Sequence, residues 1–103
     1  DMWSCGVLLL ELACGLGVLG EHTPWRPPST PDQRAVAEAV CNERRVLRLL
    51  VERGVSMGVS LARWFGAAVP ALTQPEPSQR WPAERLRGSV HAVEWWAPSR
   101  FPI

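Results

Sequence analysis

The sequence predicts an all-α chain, and three observations carry that prediction. Apolar residues recur at steps of three and four along several stretches, the spacing that lines one face of a helix. Most of the prolines fall between those stretches and delimit them. No run alternates apolar with polar residues as a half-buried strand requires, and no internal repeat is visible.

The elements follow in order. Residues 2–14, MWSCGVLLLELAC, hold no proline and are apolar almost all the way round. Such a segment is the core helix of a larger body or a membrane span. Glu11 at its centre argues against the span, because a charge there costs a few kcal/mol in lipid. No basic residue precedes the run, which also argues against a signal peptide. Gly15, Gly17 and Gly20 end the helix, and residues 21–31 form a proline-dense loop.

Thr30, Pro31 and Gln33 read as a helix start: a cap, a first helical position and a capping-box partner. Val36, Val40, Leu47, Leu50 and Val51 then keep helical spacing as far as a stop at Gly54. The polar patch Asn42-Glu43-Arg44-Arg45 is a point where this segment can divide into two shorter helices. Asp32 near the start and Arg48 and Arg53 near the end suit the helix dipole. Leu61, Trp64, Phe65, Ala68, Val69 and Leu72 predict a helix over 60–69, which Pro70 should end or kink near Val69. Residues 74–78 are a turn. Pro82 opens a last short helix over 83–87, with Gly88 as its stop. Residues 92–103, with Trp95, Trp96 and Phe101 among prolines, form a tail with no assignable pattern.

At 103 residues the chain is at most one small domain. A net charge of +1, with 20% charged and 47% hydrophobic residues, excludes a highly charged disordered tail. The same balance gives no basic field for nucleic acid, so neither nucleic acid nor membrane is an expected partner. The odd set Cys5, Cys14 and Cys41 reads as reduced thiols of an intracellular, cytoplasmic protein. His22 and His91 stand alone, and no Cys/His spacing suggests zinc. Glu11 has no second carboxylate or histidine at useful spacing, so it reads as a helix-flank residue and not an acid catalyst. Cys14 has no cation nearby in sequence, which favours packing over redox chemistry.

Two motifs carry a resemblance. In DMWSCGVLLLELACG, Asp1, Trp3, Ser4, Gly6, Glu11, Leu12 and Gly15 match Asp-x-Trp-Ser-x-Gly-x-x-x-x-Glu-Leu-x-x-Gly. In LTQPEPSQRWPAERL, residues 72–86, Glu76-Pro77, Arg80 and Ala83 match Leu-x-x-Asp-Pro-x-x-Arg-x-x-Ala. In this order and separation the pair resembles the protein kinase family. The first motif is similar to its buried F helix, the second to its last helical region, and Thr23-Pro24-Trp25 to the step after the F helix. Thr73 stands where a Leu is usual and Trp81 where a Pro is usual. Ala83 stands where tyrosine kinases tend to carry an aromatic residue, which favours the serine/threonine type.

The resemblance implies a C-terminal, helical lobe fragment of a protein-kinase-like fold over residues 1–91, followed by the tail 92–103. Residues 32–53 and 60–69 would then cover the G and H helix region. It implies structural anchors at Asp1, Trp3, Gly6 and Arg80. Asp1 would hold the catalytic loop through charge-assisted hydrogen bonds, and Arg80 would pair with an upstream Glu. It also implies a docking surface for protein substrates at Arg44, Arg45 and Arg48, residues that equally suit a solvated helix face. The parent would move the γ-phosphoryl group of Mg-ATP to protein hydroxyls. This chain contains no Lys, no glycine-rich phosphate loop, no catalytic-loop Asp and Asn, and no magnesium-binding Asp. No catalytic, cofactor or metal residue is therefore expected within it, and its first partner would be the N-terminal remainder of the kinase domain. The alternative is a non-catalytic, kinase-like scaffold or binding module.

Overall fold

The computed structural model describes residues 2–15, 30, 31, 34, 35, 38, 42–96 and 99–101. Asp1, Gly17, Gly20, His22, the Thr23-Pro24-Trp25 step, Asp32, Gln33, Val36, Val40 and Cys41 lie outside the described residues.

The described chain is mostly helical. Helix α1 spans Met2–Cys14 and α2 spans Glu43–Glu52. Helix α3 spans Val59–Leu72 and α4 spans Ala83–His91, with a 3-10 turn at Pro77–Gln79 between them. Two short strands, β1 (Met57–Gly58) and β2 (Arg100–Phe101), pair antiparallel, with Met57 opposite Phe101 and Gly58 opposite Arg100.

Local chemistry accounts for the boundaries. The Thr30 carbonyl accepts the Arg34 N–H at 3.0 Å, and Pro31 is helical, as the predicted start requires. The polar patch does divide the segment. Asn42 leaves helical geometry at φ −145°, ψ 148°, and its side chain accepts the Arg45 N–H at 2.8 Å. A cap of this kind is worth about 1 kcal/mol. Gly15 (φ +102°) and Gly54 (φ +68°) take the left-handed conformation that closes α1 and α2.

Helix α3 is the hub, packing against both α1 and α2. One core joins Leu10 of α1, Val46, Leu49 and Leu50 of α2, Met57 of β1, and Ala62, Phe65 and Val69 of α3. Trp3 and Val7 form a second, smaller cluster. Each such aliphatic or aromatic side chain contributes about 1.5–3 kcal/mol on burial.

Several boundaries differ from expectation. Helix α3 runs through Pro70 to Leu72. Pro70 can donate no N–H to the preceding turn, a loss of ~3 kcal/mol in an isolated helix. The next turn is secured by side chains instead. The Thr73 hydroxyl donates to the Val69 carbonyl at 2.7 Å, and the Gln74 amide donates to the Pro70 carbonyl at 2.9 Å. Burial of Ala68, Val69 and Leu72 offsets the rest. Helix α4 likewise passes Gly88 and ends at His91. Ser89 holds that turn, donating to the Leu86 carbonyl at 2.6 Å and accepting the Trp64 indole N–H at 2.9 Å. The tail, unreadable in sequence, contributes buried Val93 and the strand that pairs with β1.

The first helix is also buried differently. Trp3, Gly6, Val7 and Leu10 face inward, whereas Leu8 is 43% and Leu12 73% exposed. Cys5, Leu8 and Leu9 line a wholly apolar groove of about 220 Å³ with Trp64, Leu86 and Val90. Uncovered apolar surface of this kind drives association. The isolated chain should therefore self-associate in sedimentation velocity. The double substitution Leu8→Gln, Leu12→Gln should shift it toward monomer without lowering its melting temperature by more than about 5 °C. Unchanged association would show that this face is not responsible.

Candidate functional site

Of the four anchors expected from sequence, the structure describes Trp3, Gly6 and Arg80, and it brings Trp3 and Arg80 together. The 3-10 turn positions Arg80, whose own N–H donates to the Pro77 carbonyl at 3.2 Å. Its side chain then folds back toward the end of α3. Nε donates to the Gln74 carbonyl at 2.8 Å and Nη2 to the Pro75 carbonyl at 3.3 Å. The guanidinium carbon lies 5.4 Å from the centroid of the buried Trp3 ring. That separation suits a cation–π contact, worth about 0.5–2 kcal/mol.

The electrostatics of Arg80 are unusual for a surface arginine. Burial lowers its pKa, while the charge of Glu76 opposes that shift. Two carbonyls and an indole face are held against the cation, yet among the described residues no carboxylate forms an ion pair with it. Arg80 and Trp3 with Met2, Pro77, Trp81 and Pro82 therefore make a half-buried cationic corner open on one side.

Gly6 sits where α1 meets the end of α3. A β-carbon there would lie 2.6 Å from Thr73 Cγ2 and 3.0 Å from Leu72 Cβ. The glycine is what permits the close crossing that Trp3 and Val7 flank.

The three arginines of α2 do not join this corner. Arg44 and Arg48 are exposed and Arg45 is half-buried, while Val46, Leu49 and Leu50 take the inward face. They form a basic strip on the solvent side of α2.

Two further groups have clear environments. Glu11 has one carboxylate oxygen enclosed without a hydrogen-bond partner. Leaving a buried acceptor unmet costs about 1–3 kcal/mol. Burial raises the Cys14 thiol pKa, with the Arg53 charge opposing, so the thiol is protonated and unreactive at neutral pH. That agrees with a packing role, although Arg53 is a cation that sequence spacing did not place there. Among the described residues no group of three His, Cys, Asp or Glu side chains could hold a metal ion. Nor is any described helix long and apolar enough to cross a membrane.

Sequence reasoning missed Thr73, which is 1% exposed and both closes α3 and meets Gly6. It also missed the Trp64–Ser89 hydrogen bond and the stacking of Arg85 on Trp81, 5.0 Å from guanidinium carbon to ring centroid. A threonine just past an apolar stripe is a weak signal for a helix-closing hydroxyl. The other two contacts leave no periodic trace.

Compared with family models, with curated proteins and with solved structures, the chain matches none.

Proposed function

We propose that this chain is the F-helix-to-end portion of the C-terminal lobe of an ATP-dependent protein kinase, serine/threonine in type. The observation that carries the reading is Arg80. It is half-buried, held by two carbonyls and the Trp3 ring, and feels the charge of Glu76 without forming an ion pair with any carboxylate among the described residues. A carboxylate brought against this half-buried guanidinium would add a charge-assisted pair, partly screened by solvent. In the family that resembles this sequence, the equivalent Arg pairs with an upstream Glu. The exposed Leu8 and Leu12 on a helix otherwise packed inward support the same reading, since both are surfaces another segment would cover.

On this reading the parent transfers the γ-phosphoryl group of Mg-ATP to protein hydroxyls. This portion holds none of the catalytic residues. It supplies the platform on which the catalytic loop rests, with Asp1 as its anchor, and a substrate-docking strip at Arg44, Arg45 and Arg48.

The coding sequence upstream of Asp1 tests this. It should encode a glycine-rich loop, a Lys, a catalytic-loop Asp and Asn, a magnesium-binding Asp, and a Glu for Arg80. In the complete protein, Arg80→Glu should lower the melting temperature by more than 5 °C, and exchanging the upstream Glu for Arg should restore at least half of that. An upstream segment with the Glu but without the catalytic residues would replace the kinase with the scaffold alternative. An initiator codon directly ahead of Asp1 would sink both.

A further inference from the structure

A second site adjoins the Arg80 corner through Trp81 and lies where α3, α4 and the tail meet. Its inner part is an apolar cleft of about 300 Å³, walled by Trp64, Ala67, Trp81 and Val93. Its outer part is a polar cleft of about 400 Å³ that includes Ser99 and Glu94. The two are continuous, sharing Ser60, Arg63 and Ala92.

The walls are fixed before any ligand arrives. The Trp64 indole is tied to Ser89 at 2.9 Å and set edge-on to Phe65, with ring centroids 5.2 Å apart. The Trp81 backbone N–H donates to the Ala71 carbonyl at 3.1 Å, and the Arg85 guanidinium lies over the Trp81 ring. The tail is tied down on both sides of the polar part. The Glu94 N–H donates to the Ser60 hydroxyl at 2.9 Å, and the Val59 N–H donates to the Ser99 carbonyl at 3.1 Å. Preorganised walls of this kind reduce the ordering entropy lost on binding.

The charge pattern narrows the ligand. Arg63 and Glu94 both line the polar part, are opposite in sign, and form no ion pair among the described residues. A ligand that satisfies both carries a carboxylate for Arg63 and an ammonium for Glu94, with an aromatic body for the tryptophan-walled part. We propose that this cleft binds a small aromatic amino acid. The site shares Trp81 with the Arg80 corner but does not rest on the kinase reading.

The test is to titrate L-phenylalanine into the full 103-residue chain, by calorimetry and by the tryptophan indole N–H signals. Saturable binding that moves the Trp64 and Trp81 signals is expected. Phenylacetate, which lacks the ammonium, and phenethylamine, which lacks the carboxylate, should each bind about tenfold more weakly, as loss of one charged hydrogen bond predicts. Glu94→Gln should erase the preference over phenylacetate, and Arg63→Gln the preference over phenethylamine. Both side chains are exposed, so circular dichroism should be unchanged in each variant. Absence of saturation would overturn the proposal. So would binding that ignores the head group and both substitutions, which is the behaviour of an unspecific apolar surface.

Discussion

Trp3→Ala is expected to lower the stability of this chain by about 3–5 kcal/mol, the range for truncating a buried aromatic side chain. Trp3 is 1% exposed, and its ring is enclosed beside Val7 and beneath the Arg80 guanidinium. Truncation removes the apolar contacts of the indole, leaves a cavity at the end of α1, and strips the half-buried Arg80 of one of its three supports. The other two are the carbonyls of Gln74 and Pro75, which do not move with Trp3. Small domains have total stabilities of about 5–15 kcal/mol, so the loss removes a large share of the total and brings a domain at the low end of that range close to unfolding. Urea unfolding followed by circular dichroism reads this directly. Trp3→Phe keeps a ring under the cation and should cost less than half as much. The difference between the cost of Arg80→Met in the parent chain and in the Trp3→Ala background isolates the cation–π coupling, expected at about 0.5–2 kcal/mol. A Trp3→Ala cost below about 1 kcal/mol would show that the indole is not enclosed, and the corner built on it would fall too.

The sequence-based expectations held where a residue's local chemistry decides the outcome. Gly15 and Gly54 end their helices because a left-handed residue costs glycine nothing. Asn42 starts α2 because its short amide can reach the N–H three residues on. Expectations failed where distant packing outweighs a local cost. Pro70 breaks a helix on paper, but Val69 and Leu72 are each 0% exposed, and the Thr73 and Gln74 side chains bond the last carbonyls. Gly88 looked like a stop, but nothing forces it to positive φ while Ser89 ties the turn to Trp64. The β1–β2 pair is only two residues a side, too short to show alternation. The candidate site shows the same division. Trp3 and Arg80 were legible one by one, through motifs at opposite ends of the chain. Their contact was not, because it follows from how α1 meets the end of α3, and no spacing rule encodes that.

That meeting point depends on Gly6, and Gly6→Ala is expected to destabilise the chain by up to about 2 kcal/mol although alanine is the better helix former. Two effects compete. Removing glycine from a helix interior gains about 1 kcal/mol of helix propensity. The new methyl group would lie 2.6 Å from Thr73 Cγ2 and 3.0 Å from Leu72 Cβ, and overpacking of this kind costs about 1–3 kcal/mol. Neither neighbour can swing away. Thr73 is buried and its hydroxyl is bonded to the Val69 carbonyl, while the Leu72 contact is a β-carbon fixed to the helix backbone. The overlap must therefore be relieved by sliding α1 off α3, which also loosens Trp3 and Val7. Thr73→Ser separates this account from a general intolerance of α1 to substitution. Serine keeps the hydroxyl that closes α3 and removes only the offending methyl. Gly6→Ala should cost less in a Thr73→Ser background than in the parent chain, by about 0.5–1.5 kcal/mol in a urea-denaturation double-mutant cycle. The rescue stays partial because Leu72 Cβ remains. A stabilising Gly6→Ala would mean that propensity governs and the helices do not cross so closely. A destabilising one with no coupling to Thr73 would place the clash elsewhere.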